Sequence, residues 1–351
     1  MSATHLTRWE HLPREQVIRA VERRGPTERI PMVHAKWWGE GLREQYGERL
    51  AELEGYPEDT AMIWCPPVEF DKMGLSWTWK DEGARDARPV LDDWAKLDEF
   101  IAKLPDPEAD PRFEQFAVQA EAARRDDYYL LFGWWLLFFE RPWAIRGMQN
   151  LLLDYYLFPA EVHRLNDALC TLYCGYIRRA ARELRPDGLW TSDDLGHQTQ
   201  LMMPPRIFRE FLKPYYIRVG RVLDEVGMHF WLHSCGNNTE ILGDLADAGL
   251  DVFHPVQKGT MDEIAVAREF GDRLTFLAGI DVQHTLQEKD PAGVREEVRF
   301  LVDTFDRPDG GMLIAAGNGI VGGTPFENIR AFLDEYAIYG RAHRARFAGR
   351  V

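Results

Sequence analysis

Eight short apolar runs punctuate this 351-residue sequence, and each is followed by a longer stretch with helical periodicity. The runs begin at Ile30, Ala61, Tyr128, Gly188, His229, Asp251, Thr275 and Gly311. Segments such as 160–184 and 205–226 carry apolar residues at helical spacing, and Gly227, Gly249 and Gly271 stand where later helices should stop. A strand that returns through a helix lies parallel to its predecessor, and a parallel sheet needs cover on both faces. The pattern therefore predicts an α/β protein of the (β/α)8 TIM-barrel class, as one domain over residues 1–351. A doubly wound open sheet is the competing reading. It is disfavoured because no glycine-rich phosphate loop follows the first run and polar residues end nearly every run. Two segments exceed a minimal barrel: an N-terminal helical extension over 2–17, leading into a helix at 14–24, and an insertion after the second strand. That insertion, 73–104, alternates Trp77 and Trp79 before an acidic helix and reads as a lid.

Charge and composition narrow the partners. With 42 Lys and Arg against 57 Asp and Glu, the net charge is −15, which disfavours nucleic acid and anionic membrane surfaces. The apolar run at 128–139 is too short to span a bilayer and ends in Glu140 and Arg141. Four scattered cysteines do not make a disulfide framework, and the reading is of a cytoplasmic protein. Against this acidity stands an aromatic load of 12 Trp, 12 Tyr and 19 Phe.

In a (β/α)8 barrel the chemistry gathers where strands end. Those positions carry His34, Cys65, Trp134 and Trp135, Asp193 and Asp194, His233 and Cys235, His254 and Gln257, Asp281 and His284, and Asn318. The sharpest cluster is His233-Ser-Cys235. Residues two apart on a strand face the same side, so imidazole and thiol suit a borderline-soft ion such as zinc. Of the adjacent Asp193 and Asp194, only one can point to the site, while the other ties down a loop or helix. His197 and Gln198 follow in the same loop as hydrogen-bonding candidates. Cys170 and Cys174 fall on one apolar stripe with Tyr173 and Ile177, and packing explains them. Thr324-Pro325 reads as a helix cap followed by proline at the first helical position.

The stretch HFWLHSCGNNTEILGDLADAGLDVFHPVQ (229–257) resembles the uroporphyrinogen decarboxylase superfamily, in particular its methyltransferase-like branch. Further motifs extend the resemblance over almost the whole chain: REQVIRAVERRGPTERIP, GLSWTWK, RGMQNLLLDYYLFPAEVHRLNDAL, DDLGHQTQLMMPPRIFREFLKPYY and GIVGGTPFENIRAF. In that branch, the resemblance implies, a His-x-Cys pair and a second Cys hold zinc, which keeps an acceptor thiol as thiolate. That thiolate exchanges a methyl group with a corrinoid (methylcobalamin-type) carrier on a partner protein. His233 and Cys235 match the pair. Where the family pattern reads Gly-Cys-Gly, this chain has Gly317-Asn318-Gly319, and an amide is a poor replacement for thiolate. Three outcomes stay open: zinc completed by Cys65, His254, Asp193 or Asp194; a harder ion at an oxygen-rich site; or no metal, with His233 as acid/base and Asn318 on substrate.

The haem-pathway members carry an arginine-rich motif near the first strand end, and this chain has HAKWWGEGLR there. An acidic protein with aromatic residues at the mouth suits a neutral or cationic methylated substrate better than a polyacid. Candidate walls are Trp37, Trp77, Trp79, Trp134, Trp135 and Trp190, with His34, Trp37, Trp134, His197, Gln198, His254, Gln257 and Asn318 as substrate-binding candidates. His233, Asp193 and Asp194 are the catalytic candidates. The expected function is corrinoid-linked methyl transfer to or from a small methylated molecule or thiol. A metal-independent decarboxylase or lyase and a non-catalytic binding subunit are the alternatives, and a homo-oligomer is compatible with each.

Overall fold

A computed structural model of the chain describes residues 10–75 and 89–347. Among the described residues seven strands form, in chain order within a parallel sheet: β1 (Thr60–Trp64), β2 (Tyr129–Trp134), β3 (Gly188–Ser192), β4 (His229–His233), β5 (Val252–His254), β6 (Thr275–Ile280) and β7 (Met312–Ala316). Helices alternate with them, so the fold is α/β. Two compact units divide the chain, one of Met1–Ala61, Ala123–Tyr129 and Asp251–Val351, the other of Met62–Ala122 and Leu130–Leu250.

In the second unit β2, β3 and β4 pair in parallel, with Ser192 opposite His233 at the strand ends. Every residue of β2 and β3 is buried, as expected for strands covered on both faces. The long helix Pro159–Glu183 contributes Leu165, Leu169, Tyr173 and Ile177 to this core, together with Cys170 and Cys174, whose sulfurs stand 4.0 Å apart. Helix Lys213–Val226 ends on Gly227 in the left-handed conformation, at the predicted stop. Of the expected lid, Trp77 and Trp79 lie outside the described residues. Its later part forms the helix Leu97–Ala102, and Trp94 lies under the Arg146 guanidinium at 4.3 Å.

In the first unit β5, β6 and β7 pair in parallel. The eighth expected strand, from Ile30, does not form. Met32 makes a single parallel bridge to Ile314, flanked by bonds from Val33 N–H to Ile314 O and from Ile314 N–H to Pro31 O, 2.9 Å each. Pro31 has no N–H to extend the ladder, and His34 turns out of it at a positive φ of 52°. The segment is held by a side chain instead. Asp59, fully buried, accepts from Met32 N–H and Leu12 N–H and forms a two-pronged ion pair with Arg29 at 2.6 Å. The N-terminal helix spans Arg14–Val21. Thr324 is not the cap predicted for the helix after Pro325: Pro325 is itself extended, that helix, Phe326–Glu335, starts one residue later, and no side chain caps it. Among the described residues no helix is long and apolar enough to cross a membrane.

Candidate metal centre

The pairing of β3 with β4 brings the two richest strand ends side by side, and Asp193 N–H donates to His233 O at 2.9 Å. Beyond that bond the chain turns, and Asp194 swings over the His233-Ser234-Cys235 turn. Its Oδ1 accepts from Cys235 N–H at 2.9 Å and lies 3.7 Å from His233 Nε2, which is 3.3 Å from Cys235 Sγ. The nitrogen, sulfur and oxygen donors lie within 4.8 Å of one another. Among the described residues this is the group of side chains that could hold a metal, and it does not include Cys65.

The turn is fixed from below. Asn238, fully buried, donates through Nδ2 to the carbonyls of Ser234, Cys235 and Gly236, and its Oδ1 accepts from Ser234 Oγ at 3.1 Å. Ser234 Oγ in turn receives Leu195 N–H, and Cys235 O receives Gly196 N–H. The 194–197 and 234–237 loops touch backbone to backbone here. A Cβ on Gly196 would stand 2.6 Å from the Gly236 carbonyl carbon, and Gly236, at φ +81°, would drive one into Gly196. Both positions require glycine.

The two aspartates separate as their alternation predicts. Asp193 is completely buried, and its oxygens accept the N–H groups of Phe138, Phe139 and Glu140 and the Tyr216 hydroxyl at 2.7–3.1 Å. It secures the start of helix Glu140–Arg146. Burial, and then the Glu140 carboxylate, push it up to about 7 against those donors. Asp194 keeps 38% of its side chain exposed and is the one at the cluster.

His233 is buried, and that desolvation lowers its pKa to about 4 although Glu140 opposes the shift. The neutral ring has a lone pair to give, which suits a metal ligand. Glu140 also accepts from Ser192 Oγ at 3.1 Å.

Trp134, expected at the site, is instead a core residue, fully buried against Phe132 and Tyr173. Strand alternation sends its neighbour Trp135 to the other face. There its ring stands 5.8 Å from the His233 ring at 83° and meets Trp64 at 5.0 Å and Trp190 at 6.4 Å. Cys65 is buried in the second unit, its N–H on Gly133 O and its thiol pushed up to about 12 by burial. His197 and Gln198 are exposed in a turn closed by His197 N–H on Gln200 O.

The remaining candidates belong to the first unit. His34 N–H donates to Glu58, and its ring lies 6.3 Å from Trp37. His254 is buried with Nε2 against Ala316 O at 3.0 Å, and Gln257 reaches Gln283 at 3.5 Å. Asn318 is exposed, its amide oxygen accepting the N–H of Gly319 at 2.7 Å. Asp281 caps the turn at 283–285. The supporting residues Asn238 and Ser234 went unnoticed in the sequence. The signal for them was the Ser-x-x-x-Asn spacing in SCGNN, a turn that closes on its own carbonyls.

Comparison with known proteins places the chain in a family. The methylcobamide:CoM methyltransferase MtaA of Methanosarcina barkeri is 30% identical over 139 residues, 38% of either chain. The methylated-thiol–coenzyme M methyltransferase of Methanosarcina mazei is 25% identical over 192 residues, 54% of this chain and 48% of that protein. The chain thus spans less than half the length of each of these relatives. A solved methyltransferase structure from Methanosarcina mazei superposes with a TM-score of 0.66 at 17% identity, over 94% of this chain and 99% of that one, and shares the fold. The family model for uroporphyrinogen decarboxylase (URO-D) matches residues 53–338. The chain therefore belongs to the URO-D family, and within it resembles coenzyme M methyltransferases rather than the decarboxylases of haem synthesis.

Proposed function

We propose that this protein is a methyltransferase that moves a methyl group between a small methylated molecule or thiol and a corrinoid carried by a partner protein, using zinc held by Asp194, His233 and Cys235. The observation that carries the proposal is the convergence of one nitrogen, one sulfur and one oxygen donor within 4.8 Å at two adjacent strand ends. Three protein ligands with a fourth position open is the usual arrangement of a catalytic zinc. Asp194 would fill the place that the family pattern gives to a second cysteine.

When bound, zinc supplies a Lewis acid that lowers the pKa of an incoming thiol, making a nucleophile at neutral pH. The chain's own residues do the rest. His233 offers a neutral ring nitrogen, and Cys235 is held at a fixed height by its N–H bond to Asp194. Asn238 keeps the turn from relaxing. Trp135 stands edge-on against the imidazole at 5.8 Å and helps fix its position.

A metal-free decarboxylase or lyase would rely on His233 as acid or base, and burial, which lowers its pKa to about 4, favours the neutral ring and so disfavours the acid half of that role. The similarity to proteins named as methyltransferases supports the first reading. The test is metal analysis of purified wild-type and Cys235→Ala protein. Stoichiometric zinc that disappears in the folded variant supports the proposal, and wild-type protein that stays free of zinc after reconstitution overturns it.

A further inference from the structure

We infer that Cys170 and Cys174 form a further metal site, one that takes a soft monovalent cation, copper(I), between its two sulfurs. The inference is independent of the methyl-transfer reading and of the centre at Asp194, His233 and Cys235. The two cysteines lie one turn apart on the unbroken helix Pro159–Glu183, both buried, with their sulfurs 4.0 Å apart. Packing accounts for their place on the apolar face of the helix, and it does not require the two sulfurs to face each other.

The geometry selects the ligand. A disulfide would have to draw the sulfurs from 4.0 Å to about 2.05 Å. Residues four apart on a helix keep their Cβ atoms about 5–6 Å apart, whereas a disulfide needs about 3.5–4.5 Å, so the helix would have to distort. A metal about 2.3 Å from each sulfur fits between them as they stand, at a sulfur–metal–sulfur angle of about 120° for the 4.0 Å separation. Zinc requires three or four protein donors, and this pair offers two. Copper(I) prefers thiolate and is content with two of them.

The surroundings favour thiolate. The Cys170 thiol donates to Cys174 and holds it below its usual value, and Arg218 and Arg178 act the same way against burial. Arg218 lies across the mouth of the pair: Nη1 donates to Asp167 Oδ1 at 2.7 Å and Nη2 to Thr171 Oγ1 at 2.8 Å. Asp167 and Thr171 are exposed, so solvent is within one turn of both sulfurs. On binding, two copper–sulfur bonds form, the thiol protons leave to solvent, and copper keeps its oxidation state. Copper(I) with two thiolates carries one negative charge, which the Arg218 guanidinium balances.

The test uses the full chain with Cys65→Ala and Cys235→Ala, which retains Cys170 and Cys174 as its cysteines. Should that chain fail to fold, Cys235→Ala alone replaces it, since Cys65 is buried and its thiol is pushed up to about 12. Copper(I) is titrated anaerobically against the chelator bathocuproine disulfonate. One copper per chain is expected, with two sulfurs per copper in X-ray absorption, and zinc is expected not to be retained. Adding Cys170→Ala or Cys174→Ala should weaken copper retention at least a hundredfold. A chain that retains no copper, copper binding unchanged in either folded variant, or zinc held as tightly as copper overturns the inference. None of these outcomes bears on the zinc centre, whose Cys235 ligand is absent from the protein tested.

Discussion

Asp193 and Asp194 are neighbours in sequence whose removal should give opposite phenotypes. Asp193→Ala deletes the acceptor for three backbone N–H groups, of Phe138, Phe139 and Glu140, and for the Tyr216 hydroxyl, in a place with no exposed surface. Each buried donor left unsatisfied costs about 1–3 kcal/mol. Even if water or relaxation rescues half of the four, the loss should reach about 4 kcal/mol, a large share of the roughly 5–15 kcal/mol that holds a typical domain together. Asp194→Ala deletes a carboxylate with over a third of its side chain in water, together with its bond to Cys235 N–H. Its cost should stay near ~1 kcal/mol, while zinc binding falls. Urea denaturation of metal-free protein, followed by tryptophan fluorescence and far-UV circular dichroism, gives the midpoint and slope for each variant. The reasoning is refuted if Asp193→Ala unfolds within ~1 kcal/mol of wild type, or if Asp194→Ala is the more damaging of the two.

Other outcomes follow from the same geometry. Gly196→Ala pushes the 194–197 loop off the 234–237 turn; it should destabilise by about 1–3 kcal/mol and weaken zinc binding, as competition with a chelating dye would measure. Asp59→Ala strands the buried Arg29 charge and two amides, at a cost of about 3–5 kcal/mol; pairing it with Arg29→Met should recover part of that loss in a double-mutant cycle, and strict additivity would contradict the ion pair's importance. Glu263, beside Lys258, Glu297, Asp281 and Asp262, is raised by burial from 4.5 to about 7. The folded state therefore holds its proton to higher pH than the unfolded chain, so its contribution is fully present below about 4.5 and is lost as pH rises through about 7. Glu263→Gln should flatten the stability–pH curve over that window by about 3 kcal/mol, checked by urea midpoints at pH 5 and pH 8. Iodoacetamide at pH 8 should label Cys235 ahead of Cys65, which is buried and held as thiol; mass spectrometry of tryptic peptides reads the order.

The sequence made the β4 end legible because alternation needs no tertiary knowledge: His233 and Cys235 must share a face. It also separated Asp193 from Asp194 in principle, yet which of them reaches the cluster depends on the register that sets Ser192 opposite His233, and no single strand contains that information. The same limit misplaced a tryptophan. Trp134 and Trp135 end one run, and one residue of phase decides which belongs to the core. The first run looked like a strand by composition, but Pro31 and the positive φ of His34 stop its ladder after one bridge. Thr324 was a plausible cap until the extended Pro325 moved the helix start by one residue.

The central claim is that Asp194, His233 and Cys235 hold the metal on which methyl transfer depends. The most direct measurement is the rate at which zinc-loaded protein demethylates methylcobalamin in the presence of a thiol, followed by the cobalamin absorbance, for wild type and for folded Cys235→Ala. The account predicts zinc-dependent turnover in wild type and a loss of at least a hundredfold (about 2.7 kcal/mol in the barrier) in the variant. Equal rates in the two proteins, with and without zinc, would contradict it.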